Sequence, residues 1–521
     1  MLSCFAALAE DTTYTITITK DTTDKAAHTY GAFQLFKGKL EEKDGKKVLS
    51  DVQWGDDIDS TKIDALIAEL DAIDGVTIAA DKHTASDIAR AISDANMTND
   101  DAKAQKVADA FAKAIDSTPK ETGTIAADAT TGTISGLPAG YYFVKDTAAV
   151  TAEGALTRFI LEVVGNVSVA EKASVPSVEK KVQEKNDSTG DTAWQDAADY
   201  DIGDSVPYQI TGTLPSKFAE FDTYTTYTFT DTLSAGLTPP EASAVSVKDD
   251  KGNDLVAKGL FTVNVNDQII TVALASDKDL RASTDPAFTK DSKIIVTYNA
   301  TLNENAKLGA VGNDNKVKIE FSNNPNYDGD GDTGTTPEDK VTVFTFKLIT
   351  NKLDEDETTP LKGAGFTLYK WDASQTGTDK YVQVGAEMKG ENMTTFQFTG
   401  KDSGQYKLVE TTVPTGYNKA DDLEFKVVAT YATTGNPPAL TDLKVTDLQG
   451  NTLTTWTIDS VTYGEVTSTY AQGSTNITNK KGSQLPSTGG IGTTLFYIGG
   501  GILVLLAIVM LVTKKRMKAE D

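Results

Sequence analysis

Short runs in which apolar and polar residues alternate recur along almost the whole chain, and they restrict the fold more than any other feature. Tyr14–Thr19, Phe261–Val265, Ile269–Val272, Ile294–Tyr298 and Thr394–Phe398 are of this kind. Successive strand side chains point to opposite faces, so each run describes a half-buried strand. Gly, Asn and Asp turns separate many of them, which suggests Ig-like sandwiches. Residues 60–117 depart from the pattern. Ile63, Leu66, Ile67 and Leu70 have helical spacing, with Ser60 as the expected N-cap, and Val107, Phe111 and Ile115 recur at helical steps. This predicts helices inserted in the first sandwich, their apolar stripes serving as core contacts. At 521 residues the chain has room for three or four domains of about 100–200 residues each.

A second feature concerns residues that a strand would turn inward. In Pro176–Val182, Lys180 is in phase with Val178 and Val182, so it is aimed into a core. Asp231 is in phase with Tyr227 and Phe229, and Asn315 with Val317, Ile319 and Phe321. The triplet then recurs. Lys352 is in phase with Phe344, Phe346 and Leu348, Glu410 with Tyr406 and Leu408, and Asn479 with Ile477 on an expected final strand. A lone buried charge is costly, so each must be paired or neutralised. A buried salt bridge with an amide bystander would suffice for one such set. Two sets in the same chain order, Lys then acid then Asn, point to chemistry. Burial disfavours the charged forms, an uncharged lysine amine is a nucleophile, and a carboxyl can polarise an amide and shuttle its protons. Each set is suited to forming one Lys–Asn isopeptide bond with loss of ammonia. Asn313 and Asn323 share the strand parity of Asn315 and remain alternatives to it.

Composition excludes several function classes. Lys+Arg number 49 and Asp+Glu 75, for a formal net charge of −26, so the surface repels nucleic acid and anionic lipid. The single cysteine, Cys4, lies in Met1–Ala9, which reads as the end of a signal peptide with Ala7-Leu8-Ala9 as its cleavage site and its true start upstream. A mature chain without cysteine has no disulfides. Histidine occurs only at positions 28 and 83, which excludes Cys–His catalysis and His-based zinc sites over most of the chain. No Gly-rich phosphate loop follows a strand. No cofactor or metal is therefore expected, and a turnover enzyme has little support. Asp328, Asp330 and Asp332 resemble the start of a calcium loop, but Thr333 stands where that loop has Gly and Asp339 where it has Glu; an acidic solvated turn is the better reading.

The C-terminus carries Leu485-Pro486-Ser487-Thr488-Gly489, an apolar run Ile491–Val512, and the basic end Lys514-Lys515-Arg516-Met517-Lys518. The run is long enough to cross a bilayer as a helix, for which about 20 residues suffice. The basic end would stay in the cytoplasm. This combination resembles the cell-wall sorting signal of Gram-positive surface proteins, cleaved by a sortase between the Thr and the Gly.

The resemblance extends inward. Tyr406–Tyr417 (YKLVETTVPTGY) resembles the pilin E-box (YxLxETxAPxGY), departing only at Val413. Asn351-Lys352-Leu353-Asp354 and Pro360–Phe366 resemble the start of a Cna B-type domain, with Asn479 as the partner of Lys352. Lys180, the acid of Thr230-Asp231-Thr232-Leu233, and Asn315 resemble a Cna A-type set. Together these cover most of residues 165–521 and resemble the backbone subunit of sortase-assembled Gram-positive pili. The resemblance implies a lysine that joins subunits near the end of the first domain. Val167–Ala173 (VSVAEKA) aligns with the pilin pattern VxVYPKN, and it implicates Lys172, on the opposite strand face from Val167 and Val169 and so expected to be exposed. Lys181 is the fallback. Gly140–Asp146 looks like an E-box relic without its Glu, and Lys20-Asp21 could mimic Lys352 to Asp354; a bond in the first domain stays open.

The resulting expectation is a mainly β chain of tandem Ig-like sandwich domains: a signal remnant (1–9), an N-terminal domain with a helical insertion (10–172), a Cna A-type domain (173–343), a Cna B-type domain (344–481) and a sorting signal with a transmembrane helix (482–521). Its implied role is a secreted, wall-anchored structural pilin. A class C sortase would join Thr488 to Lys172 of another copy, and a housekeeping sortase would attach the polymer, with its tip and basal pilins, to peptidoglycan. The alternative is a monomeric wall-anchored adhesin of the collagen-binding type, which would not use Lys172.

Overall fold

The computed structural model of the chain describes residues 12–517, apart from 44, 98–101, 117, 149, 151–152, 188, 325–332, 433–435 and 483–490. Met1–Ala9, the acidic run at Asp328–Asp332 and the Leu485–Gly489 motif lie outside the described residues. Within them the chain is mostly strand, arranged as three successive pairs of sheets.

In the first pair, Tyr14–Thr19 sits between Thr131–Leu137, antiparallel, and Val167–Ala170, parallel. The facing sheet runs in the order Lys46–Trp54, His28–Lys43, Gly140–Asp146, Arg158–Val163, with Glu121–Ile125 added on the His28 strand. The near-continuous apolar stretch in His28–Lys43 is explained by burial on both faces. Tyr30 and Ala32 pack between the sheets. Phe33 and Leu35 face the helices Ile63–Asp71, Ala85–Asp94 and Ala102–Ala114 on the other side. Leu66, Leu70, Ile88, Val107 and Phe111 fill that second core, so the helical stripes are core contacts. The N-cap shifts by one residue from the expected Ser60: Asp59 accepts hydrogen bonds from the Thr61 backbone N (2.9 Å) and hydroxyl, and Ser60 begins a short 3-10 turn that leads into the helix. Both residue types cap helices well, so the local sequence does not separate them.

The middle pair opposes a sheet built on Ser177–Lys185, Ser205–Thr213 and Lys293–Leu302 to one built on Asp339–Phe344, Asn313–Ser322, Tyr227–Leu233 and Ile269–Leu274. Val182, Phe229, Val296 and Ile319 are among the fully buried side chains between them, each contributing about 1.5–3 kcal/mol of transfer free energy. The Asp339–Phe344 strand passes through the buried Thr345 directly into Phe346–Leu353, the opening strand of the last pair. There Phe346–Leu353 lies between Thr395–Lys401 and the closing strand Val466–Thr478, to which it runs parallel. The opposing sheet is Tyr381–Lys389, Gly365–Trp371, Gly404–Thr412, Leu423–Ala432 and Ala439–Thr446.

The middle and last pairs are joined by more than the chain. Lys370 of the last sheet pair bonds Asp402 (2.7 Å) beside it and Asp187 (2.6 Å) of the middle one. Leu308 N donates to the Tyr463 hydroxyl at 2.8 Å, and Val311 N to Ser468 Oγ at 2.9 Å. Gly309, at φ +70°, lies so close that a Cβ there would stand 2.4 Å from the Thr469 carbonyl oxygen. Only glycine satisfies both the left-handed conformation and that approach.

The helix Ile491–Met517 carries a window, Tyr497–Lys514, with mean hydropathy 2.1 and no burial against the rest of the chain. Its length and composition are compatible with a membrane span.

Candidate functional site

The alternation of burial along each strand determines what reaches the cores. In Phe346–Leu353 every second residue is buried, and Lys352 is the last of them, fully inaccessible. Glu410 ends the buried series of Gly404–Thr412 in the facing sheet. Asn479 stands one residue beyond the closing strand, which ends at Thr478 rather than including it, and its backbone N–H donates to Leu353 O at 3.2 Å. The three side chains meet. Lys352 Nζ donates to Asn479 Oδ1 at 2.7 Å and to Ile477 O at 3.1 Å. Asn479 Nδ2 donates to Glu410 Oε1 (2.8 Å) and Oε2 (3.0 Å), and Lys352 Nζ is 3.9 Å from Glu410 Oε1. Glu410 is itself held by the Ala420 backbone N–H at 2.8 Å. Burial pulls the Lys352 amine down to about 8, against the opposing attraction of Glu410. An amine, a carboxamide and a carboxylate thus share a dry pocket, with the carboxylate able to reach both nitrogens.

The middle set is built across the two sheets. Lys180 projects from one sheet, and Asp231 and Asn315 from the other, on neighbouring strands in which Leu233 pairs with Asn315. All three are buried. Lys180 Nζ donates to Asp231 Oδ1 at 2.7 Å. A fourth residue joins them. The Tyr298 hydroxyl donates to Asp231 Oδ2, accepts from Asn315 Nδ2 at 2.7 Å, and lies 3.2 Å from Lys180 Nζ. Lys180 Nζ also sits over the rings of Tyr208 (5.2 Å) and Tyr298 (5.4 Å). Burial lowers its affinity for a proton, and Asp231 opposes that shift. The two alternative asparagines are engaged elsewhere: Asn313 bonds main-chain atoms of Lys307 and Val343, and Asn323 Nδ2 reaches Gly154 O. Sequence reasoning missed Tyr298, because a tyrosine in phase with Ile294 and Val296 looks like ordinary core.

The first sheet pair has no such set at Lys20. Its Nζ donates to the main-chain carbonyls of Ala26 (2.8 Å), Ala127 (2.9 Å) and Ala126 (3.3 Å). The likeness of Lys20 to Lys352 therefore ends at sequence, since its partners are peptide carbonyls and not an asparagine side chain. Asp146, at the end of the E-box-like strand, instead accepts from His28 Nδ1 at 2.9 Å.

Lys172 lies just past the strand that ends at Ala170, with its backbone N–H on Thr157 Oγ1 at 2.9 Å. It is half-buried, not exposed as strand parity suggests. The inserted helices form a third layer there, and Lys172 lines a groove of about 450 Å³ with Ile92, Met97, Phe111, Tyr141 and Leu161. Lys181 is paired with Asp196 (2.6 Å) and Glu179 (3.2 Å).

Comparison with known proteins agrees with this architecture. Residues 202–325 match the family described as Gram-positive pilin backbone subunit 2, Cna-B-like domain; residues 346–438 match a prealbumin-like fold domain; and residues 477–519 match the LPXTG cell wall anchor motif. The first description is Cna-B-like where the sequence resembles the A type. The trypsin-resistant surface T6 protein of Streptococcus pyogenes serotype M6 is 30% identical over 402 residues, which span 68% of this chain and 71% of that one. The solved T6 backbone pilin of that serotype, with its modular three-domain structure, shares the fold at a TM-score of 0.52 and 18% identity, covering 91% of this chain and all of that one. The anchor motif and the apolar helix behind it mark a secreted surface protein held at the cell wall. The chain belongs to the backbone pilins of Gram-positive bacteria, structural subunits and not enzymes.

Proposed function

We propose that this pilin is polymerised covalently and is locked internally by two isopeptide bonds that it forms itself. Lys352 would join Asn479 with Glu410 as proton shuttle, and Lys180 would join Asn315 with Asp231. The observation that carries this reading is the Lys352–Asn479–Glu410 contact. Uncharged Lys352 Nζ attacks Asn479 Cγ, Glu410 takes a proton from Nζ and delivers it to Nδ2, the Cγ–Nδ2 bond breaks, and ammonia leaves. In the middle set the path runs from Nζ through Asp231 and the Tyr298 hydroxyl to Asn315 Nδ2, which makes Tyr298 a relay.

The same reading divides the chain into domains at 10–172, 173–343 and 344–481, with the sorting signal from 482. Bonds that tie an early strand to a late one carry tension past the hydrogen-bonded ladders and substitute for absent disulfides. A class C sortase would cleave after Thr488 and transfer its carbonyl to Lys172 Nζ of another copy. A housekeeping sortase would pass the finished polymer, with tip and basal pilins, to peptidoglycan, giving a fibre that supports surface adhesion.

Co-expression with the cognate class C sortase tests the polymer: an SDS-resistant ladder that disappears in Lys172→Ala is expected. A ladder that persists in Lys172→Ala and disappears in Lys181→Ala would move the joint to Lys181.

A further inference from the structure

Where the later sheet pairs place a lysine, an acid and an asparagine, the first places a buried histidine among carboxylates. His28 opens the strand His28–Lys43, Asp24 lies in the turn before it, Asp146 ends Gly140–Asp146, and Glu171 follows Val167–Ala170 and precedes Lys172. Their side chains are at most 2% exposed. Each carboxylate is fixed by the main chain. Asp24 accepts from Ala26 N and Ala155 N, both at 2.8 Å; Glu171 Oε2 accepts from Asp21 N at 2.8 Å; and Asp146 Oδ2 accepts from Thr157 N at 3.0 Å. The Tyr30 hydroxyl donates to Glu171 Oε1.

The imidazole is oriented by its Nδ1 contact with Asp146, which directs Nε2 to the opposite side. Nε2 has no hydrogen-bond partner although it is buried. Asp24 Oδ1 lies 3.2 Å from it and Glu171 Oε1 3.9 Å, both within ion-pair reach. One ligand atom from each of Asp24, His28 and Glu171 falls within 4.8 Å of the others. Three donors around a tetrahedral ion with bonds of about 2.0–2.2 Å stand about 3.4 Å apart. A carboxylate behind the distal ring nitrogen is the arrangement by which proteins fix a metal-binding histidine.

We propose that Asp24, His28 and Glu171 form a binding site for a divalent transition-metal ion of the Zn²⁺ type, with Asp146 orienting His28. One nitrogen and two carboxylate ligands suit such an ion and leave a fourth position for water. The ion would tie the turn after the first strand to the residue next to Lys172, giving the first sheet pair a reversible clasp where the others carry a bond-forming set. This departs from the sequence reading, which expects no metal, and it stands independently of the polymerisation proposal. A proton is the competing occupant: an imidazolium would keep Asp146 on Nδ1 and form an ion pair with Asp24 Oδ1, 3.2 Å from Nε2.

The test uses the full chain in detergent, stripped with EDTA and titrated with ZnCl₂ under calorimetry, alongside nitrogen NMR of its two histidines. The site predicts one saturable equivalent, a rise in thermal midpoint, and a shift of His28 Nε2 with His83 unchanged. His28→Gln and Glu171→Gln should abolish that equivalent, and Asp146→Asn should weaken it about 10–100-fold. His83→Gln should bind as the parent does. Should His28→Gln fail to fold, Asp146→Asn and the histidine spectrum decide. An unshifted His28 in saturating Zn²⁺ would mean that a proton alone fills the site, and saturable binding unaffected by Glu171→Gln and Asp146→Asn would place the ion elsewhere; either result overturns the proposal.

Discussion

In the first sheet pair Tyr14–Thr19 runs parallel to Val167–Ala170, and in the last Phe346–Leu353 runs parallel to Val466–Thr478. A buried lysine stands at the end of each opening strand, Lys20 in one and Lys352 in the other. Lys20 gives its hydrogens to three peptide carbonyls. Lys352 meets a carboxamide backed by a carboxylate. A shared topology and a buried lysine are therefore not enough for cross-linking chemistry. What differs is whether the closing strand delivers Asn479 or Glu171 to the lysine's end of the sheet, and whether the facing sheet's acid meets the lysine's asparagine, as Glu410 does, or a histidine, as Asp146 does. The middle pair shows a third arrangement, in which the lysine and the asparagine come from opposite sheets and a tyrosine completes the circuit.

The sharpest way to break the contrast is Glu410→Ala. With no group to shuttle the proton, the bond of the last domain should not form, and the chain should regain one ammonia, about 17 Da, beyond the change due to the substitution. Lys352 and Asn479 are 127 positions apart. By analogy with a disulfide closing a loop of about 100 residues, stability should fall by up to about 4–5 kcal/mol, read by denaturant unfolding. Asp231→Ala should give the same mass change from the middle set. Tyr298→Phe keeps the ring and removes only the relay hydroxyl. Bond formation in the middle set should slow by about 10²–10⁴-fold, the usual range for a lost proton-transfer group, while the last set is unaffected. Time-resolved intact mass after refolding of unlinked chain separates the two.

A pH series sharpens the comparison further. The nucleophile is the uncharged amine, and Lys352 is lowered to about 8, so closure of the last set should speed up about tenfold per pH unit below that value and level off above it. Linkage has the same sense. The folded, unlinked chain binds fewer protons at Lys352 than the unfolded chain does between about 8 and the ordinary lysine value of about 10.4, so it gains stability as pH rises through that window. The smallest expected effect belongs to the first region. Lys20→Met leaves the buried Ala26 carbonyl short of a donor and should cost about 1–3 kcal/mol, with no mass change beyond the substitution itself.

Much of this was legible before the structure. Strand parity alone puts Lys180, Asp231, Lys352 and Glu410 inside, because the period of two is fixed by backbone geometry. Parity fails where a third layer intervenes. Lys172 has the outward phase, yet the helices packed over Phe33 and Leu35 half-cover it. Tyr298 is silent because a core tyrosine and a relay tyrosine have the same pattern. The cluster around His28 is assembled from three separated segments by parallel pairing of the first and last strands of the first sheet pair and by the pairing of the His28 strand with Gly140–Asp146. No local spacing announces it.

The most direct test of the two-bond account is peptide mapping of the purified chain by tandem mass spectrometry, together with its intact mass. Two self-formed bonds require a deficit of two ammonia, about 34 Da, with Lys180 joined to Asn315 and Lys352 to Asn479 and with Lys20 unmodified. An intact mass without that deficit, or a linkage at Lys20, would contradict it.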